Sequence, residues 1–384
     1  MPLIETPEHE QFRQMVRRFV KDEIAPNVEQ WEHDKGFPAH DLFGKMGALG
    51  MLGSSYPEEY GGVGGDYLFH VILADELGAS GCMGVPMATL VQTDIAISGL
   101  AQYGSHELKE RFLAPAIAGQ MVGALGVSEP DIGSDVAALS TRAVKDGDDY
   151  LISGSKMWIT NGVQADFVVT LCRTSDEPGY RGMSLIVVPT STPGFSVGKK
   201  LEKMGNHSSD TGLLNYDQVR VPQSYCVGQE GKGFYYQMEQ FQKERLLGAM
   251  LGVSLGDDAV RRTVDYCRDR KVFGERLLDK QWVYFHLAEL RTELQILRQF
   301  IYHCTEQLMA GKDITRDISM AKLKAGRLAR QVTDTCVQFH GGMGYAEEYP
   351  LARYYRDARL LSIGAGADEV MLEIIAKLEG FGPG

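Results

Sequence analysis

The 384-residue sequence predicts an α+β chain, mostly helical, with a small sheet domain set between two helical domains. Three observations predict it. Apolar residues recur at helical spacing from Thr6 to about Gln120. β-Branched runs bounded by turn residues replace that pattern from about Met121 to Gly228, and helical spacing returns from Gly233 onward. The expected domains are therefore 1–120, 121–228 and 229–384. Helices, then strands, then helices exclude the regular strand–helix alternation of a Rossmann fold as the main architecture.

The first helix is announced by Thr6-Pro7-Glu8, a capping residue followed by proline and an early carboxylate. Phe12, Val16, Phe19 and Val20 then fall on one face. Glycine-rich breaks at 61–65 and 81–84 separate the next helical stretches. In the middle segment, 150–154, 167–171 and 184–189 read as strands, and 213–221 as a closing strand. Asp146-Gly147-Asp148-Asp149 reads as the hairpin turn before the first of these. In the last segment Ile318, Ala321, Ala325, Leu328, Val332, Cys336 and Phe339 alternate by three and four, the seam of a helix in a bundle.

A net charge of −12 with no concentrated basic patch argues against nucleic acid as a partner. No apolar run reaches the roughly 20 residues of a membrane span. The start, MPLIETPEHEQF, has no basic stretch leading into an apolar one, so no secretory signal is expected. Cys82, Cys172, Cys226, Cys267, Cys304 and Cys336 are scattered without metal-ligand spacing, which suits reduced thiols in a cytoplasmic protein and no metal site.

Two stretches carry chemistry. Ala124 to Asp135 holds a strand end, then Pro130 and Gly133 to fix a turn, with Ser128, Ser134 and backbone N–H groups as donors for an electron-rich ring or a phosphate. Taken alone, such a loop is usually only a turn. Gly154 to Gly162 places Trp158 and Thr160 two apart in a strand, hence on one face, an indole and a hydroxyl suited to a flat heteroaromatic ring. Core packing of the tryptophan is an equal reading of that segment.

Together with Pro57-Glu-Glu-Tyr-Gly-Gly62, Ser128-Glu-Pro-x-x-Gly-Ser-Asp135, Lys156-Met-Trp-Ile-Thr-Asn161, Arg270-Lys-Val-Phe-Gly274, Gln281, Gln338-Phe-His-Gly-Gly-Met-Gly-Tyr345, Tyr349-Pro350 and Arg356-Asp357, these stretches resemble the acyl-CoA dehydrogenase family nearly end to end. The resemblance implies an N-terminal helical domain, a β-barrel-like middle domain and a C-terminal four-helix bundle, assembled as a homotetramer around FAD. It implies that Leu125, Val127, Ser128, Gly133 and Ser134 line the flavin, and that Trp158, Ile159 and Thr160 back its ring. It assigns Arg270, Phe273, Gln281, Gln338, Gly341 and Gly342 to the FAD of a neighbouring subunit. Arg270 suits that role as a bidentate phosphate donor, and the glycines allow close backbone approach. Ala367 and Glu369 correspond to further flavin contacts, although the family's usual Thr-Ser pair is Ala367-Asp368 here.

The implied reaction is removal of two hydrogens from Cα and Cβ of an acyl-CoA thioester, with an electron-transferring flavoprotein as electron acceptor. It needs a carboxylate base, best served by a pKa raised towards neutrality. Most family members carry that base on a loop, where this chain has Ala365. Glu244 corresponds to the helix-borne glutamate of isovaleryl- and long-chain-type members and is the expected base, with Asp368 and Glu369 as rivals at a helix start. Ser134, Arg245, Ala365 and Gly366 are expected to touch substrate. A loop offering only Gly364, Ala365 and Gly366 leaves room for a branched or longer chain. The 364–371 and 84–94 segments are similar to the citronellyl-CoA dehydrogenases of terpenoid breakdown. An acyl-CoA oxidase or flavin monooxygenase on the same fold, and a scaffold without activity, are the competing readings.

Overall fold

The structure, a computed structural model, describes residues 5–382; Pro383 and Gly384, at the end of the tail, lie outside the described residues. Helices fill the chain up to Ile117, strands run from Gly123 to Pro222, and helices resume at Gly233. The fold is the three-part helical–β–helical arrangement expected from the change of period.

The first helix, Pro7–Phe19, starts on a reciprocal cap: Thr6 Oγ1 accepts from the His9 backbone N–H, and His9 Nδ1 accepts from that of Thr6. Its predicted face is buried, with Phe12, Val16, Phe19 and Val20 all within the core. The sheet contains β1 (Gly123–Gly126), β2 (Arg142–Asp146), β3 (Asp149–Thr160), β4 (Phe167–Arg173), β5 (Met183–Pro189), β6 (Phe195–Lys200) and β7 (Thr211–Pro222). Their order is β1-β4-β2-β3-β7-β6, with β5 on the other edge of β4. The β2–β3 hairpin closes on Asp146 and Asp149, and Gly147 takes φ 61°, which only glycine adopts at little cost. Sequence reading missed β6 because all its residues but Phe195 are exposed, so it shows no apolar alternation.

Four C-terminal helices follow: Gly233–Asp269, Gln281–Met309, Thr315–His340 and Asp368–Glu379, with the shorter Pro350–Ala358 before the last. Every residue of the predicted seam, from Ile318 to Phe339, is buried. The apolar core is in two parts. The N-terminal helices and the C-terminal bundle share one, and the sheet packs with residues 96–117 in the other. The Gly233–Asp269 helix passes between them: Phe234, Tyr236 and Phe241 lie against the sheet core, and Leu246 is its first residue in the helical core. The site lies at that crossing.

Candidate active site

Glu244 sits on this helix where it changes cores. Its residue is half-buried, yet Oε2 is inaccessible and has no hydrogen-bond partner among the described residues. Burial drives the carboxyl up to about 7; Arg245 and Lys322 pull it back, and Asp94 pushes it further up. A carboxylate surrounded by apolar helices titrates near neutrality for this reason. Asp368 is buried and accepts from Arg327 Nε at 3.2 Å, while Glu369 is exposed in the first turn of the Asp368–Glu379 helix.

The 364–366 loop is held by two cations. Arg245 Nε donates to the carbonyl of Ala365 at 3.3 Å, and Lys322 Nζ donates to the carbonyl of Gly366. Ala365 is in the left-handed region at φ 55°, a conformation that costs a non-glycine residue roughly 1 kcal/mol. The two cations compensate by fixing the carbonyls on either side of that turn. Burial depresses Lys322 to about 8, partly offset by Asp368. Lys322 escaped sequence reading, although one charged residue in the otherwise apolar seam, four past Ile318, was its signal.

Behind Glu244 lies a buried polar relay that sequence reading also missed. Ser55 Oγ is 2.7 Å from His70 Nε2, and His70 Nδ1 is 2.6 Å from Asp94 Oδ1. Thr93 Oγ1 donates to Asp94 Oδ2 at 2.6 Å. Tyr67 stacks on His70 and donates to the carbonyl of Lys243, the residue before Glu244. These residues meet only through folding, since Ser55, His70 and Asp94 come from three separate segments.

On the sheet, the Ala124–Asp135 stretch and the Gly154–Gly162 stretch come together. Lys156 Nζ donates to Glu129 Oε1 at 2.9 Å and to the carbonyl of Val127 at 2.9 Å, in a nearly solvent-free ion pair. Burial raises the Glu129 carboxyl, but Lys156 and the Ser140 and Thr141 donors outweigh it and hold it at about 2. That pair fixes the turn between Val127 and Ser134. Its central residues are Pro130 and Asp131, between the paired Glu129 and Ile132. Gly133 does not fix the turn, contrary to expectation: its φ is not positive, and a Cβ there would meet nothing within 4 Å. It leaves open backbone beside the exposed Ser134, while Leu125 and Ser128 are half-buried and Val127 is buried.

Opposite, a bulge between Lys156 and Ile159 puts Trp158 at φ 66° and turns its ring outward. Trp158 is 59% exposed, Ile159 is buried and Thr160 half-buried. An indole held this far out of the core removes the core-packing alternative. The remaining predicted cofactor residues are exposed at one corner of the bundle. Tyr266, one turn before Arg270, stacks on His340 and donates to its carbonyl, and His286 lies near Phe339. Arg270, Gln281, Gln338, Gly341 and Gly342 are all exposed there, and Phe273 is fully exposed at φ 50° on the turn between two short strands. Ala367 is the half-buried residue at the start of the last helix. Among the described residues no cluster of three or more His, Cys, Asp or Glu could hold a metal.

Three family models cover the chain in sequence: acyl-CoA dehydrogenase N-terminal domain over 6–120, middle domain over 124–219 and C-terminal domain over 231–379. The chain belongs to the acyl-CoA dehydrogenase family. It is 39% identical over 373 residues to the long-chain specific acyl-CoA dehydrogenase of Rattus norvegicus mitochondria, covering 96% of this chain and 86% of the relative. A probable acyl-CoA dehydrogenase structure from Mycobacterium abscessus superposes with TM-score 0.95 at 41% identity, covering 98% and 99% of the two chains. A glutaryl-CoA dehydrogenase from Mycobacterium smegmatis, solved in complex with FADH2, superposes with TM-score 0.92 at 30% identity, covering 98% and 95%. The protein is accordingly a flavin-dependent oxidoreductase of acyl-CoA thioesters. The outward Trp158, the open backbone at Gly133 and the rigid Glu129–Lys156 brace are consistent with a bound FAD.

Proposed function

We propose that this acyl-CoA dehydrogenase takes the α-proton of its substrate with Glu244. The observation that carries this reading is the inaccessible Oε2 of Glu244, unpaired among the described residues, on a carboxyl raised to about 7 next to Arg245, which holds the Ala365 carbonyl of a loop with no carboxylate at that position. Bound FAD supplies the acceptor for the hydride leaving Cβ. Arg245 and Lys322 set the loop and keep a cation pair near the carboxyl, so the charge formed on deprotonation is accepted without water. Leu125, Val127, Ser128, Gly133, Ser134, Trp158, Ile159 and Thr160 hold the flavin. Arg270, Phe273, Gln281, Gln338, Gly341 and Gly342 reach the FAD of a neighbouring copy in a homotetramer; their exposure at one corner supports this. We further propose an electron-transferring flavoprotein as acceptor, a cytoplasmic setting, and domains bounded at 120 and 228. Among the described residues no helix is long and apolar enough to cross a membrane.

The substrate is a branched or medium-to-long acyl-CoA such as citronellyl-CoA, since the Gly364–Gly366 loop presents no bulk above the base. The test is anaerobic titration of the yellow holoenzyme with citronellyl-, isovaleryl- and octanoyl-CoA, repeated on Glu244→Gln. Bleaching by one thioester that is lost in the variant supports the reading. Equal bleaching by parent and variant removes Glu244 as base. An oxidase is distinguished by fast reoxidation of the bleached sample in air.

A further inference from the structure

Two antiparallel helical segments meet beside Glu244, and their register can be followed residue by residue. Asp94 lies close enough to Glu244 to push its carboxyl up. Five residues on, Gly99 faces Gln240: a Cβ at Gly99 would lie 2.1 Å from Gln240 Nε2. Further on, Gln102 and Tyr103 both donate to Glu239, and the Tyr103 ring stacks on Tyr236 at 3.8 Å, which closes the far end. Gln237, Gln240 and Glu244 fall at helical spacing on one side of their helix.

Gln237 is completely buried, and neither Nε2 nor Oε1 finds a partner among the described residues; Gln240 is 4% exposed, and its Nε2 likewise finds none. Buried amides are almost always hydrogen-bonded, so two unpaired ones in successive turns beside the base require an explanation. A purely hydrocarbon tail laid between these segments would leave them unpaired.

We propose that Gln237 and Gln240 form a polar subsite that recognises a hydroxyl group on the distal part of the acyl chain. Gln237 offers a donor and an acceptor, which a hydroxyl matches with its lone pairs and its proton. A carboxylate does not suit, because Asp94, Glu239 and Glu244 lie on the two segments that carry or face these amides. At 1.5 Å per residue, Gln240 lies about 6 Å and Gln237 about 10 Å along the helix from Glu244. An extended chain advances roughly 2.5 Å per two bonds at ordinary bond lengths, which puts the hydroxyl at about carbon 7 to 10. Gly99 makes the subsite possible, since any side chain there would occupy the space of the Gln240 amide.

This inference rests on the dehydrogenase reading, and the experiment separates the two. Steady-state kcat/KM of the holoenzyme is measured for octanoyl-CoA against 8-hydroxyoctanoyl-CoA, and for decanoyl-CoA against 10-hydroxydecanoyl-CoA. Kd for the same four thioesters is measured by calorimetry on Glu244→Gln holoenzyme. A hydroxylated chain is expected to be preferred by roughly tenfold in both readouts, the worth of about one well-made hydrogen bond. Gln237→Leu and Gln240→Leu should each reverse the preference in favour of the plain chain. Thermal denaturation of these variants should be no lower than the parent's, because each removes unpaired buried polar atoms. Equal or better use of the plain chains by the parent would overturn the subsite, whether or not the variants fold. If no thioester bleaches the flavin, the activity reading fails, and the Kd ratio alone still decides the subsite.

Discussion

Replacing Glu244 by glutamine separates the two consequences of burying a carboxylate. The parent's carboxyl is lifted from the ordinary 4.5 to about 7, chiefly by burial. At roughly 1.4 kcal/mol per tenfold change, that displacement corresponds to about 3 kcal/mol. The sign follows from which state binds the proton. Between 4.5 and 7 the unfolded glutamate has released its proton and the folded one still holds it, so the folded state is progressively destabilised as pH rises through this window. Above about 7 the full cost is present. Glutamine carries no such cost, so parent and variant should be close in stability at pH 5. The variant should gain by up to about 3 kcal/mol by pH 8. The rate runs the other way: the parent's dehydrogenation should rise with pH through about 7 as the carboxylate forms. Above about pH 7 the variant should be slower by roughly 10²–10⁴-fold, the usual worth of a positioned base, and the gap should narrow as pH falls and the parent's carboxyl takes up its proton. Denaturant unfolding of parent and variant at pH 5, 6, 7 and 8, beside flavin bleaching at the same pH values, is the assay. A stability difference that is flat with pH, or a variant as active as the parent, would refute the account of Glu244 as a buried base.

Other outcomes follow from the same geometry. Lys322→Met removes a cation that lowers the Glu244 pKa and frees the Gly366 carbonyl, so the pH–rate profile should move to higher pH, read by bleaching rate against pH. Glu129→Gln strands the buried Lys156 ammonium and should cost about 3–5 kcal/mol, with flavin content per subunit falling alongside the melting temperature. Asp94→Asn takes away the anion that raises Glu244, so activity should appear at lower pH in the same assay. Phe273→Ser should leave the subunit folded, because its ring touches nothing within it, yet weaken the assembly in size-exclusion chromatography.

The sequence by itself determined the order of the three parts, the faces of the helices and the family. Periodicity is local: the Ile318–Phe339 seam and the Phe12–Val20 face are buried because spacing alone puts them on one side of a helix. The Asp146–Asp149 hairpin was legible because glycine in a two-residue turn is a local constraint. The outward ring of Trp158 was not legible. It depends on a bulge set by pairing with β7, more than fifty residues away. Tertiary structure alone decided what surrounds Glu244. Its raised carboxyl arises from desolvation between two cores. The Lys322 and Arg245 clamps, the Ser55–His70–Asp94 relay and the Gly99–Gln240 contact each join residues from distant segments. Side-chain type is written in the chain, whereas dielectric, charge proximity and the pairing of buried amides exist only once helices from both ends have packed together.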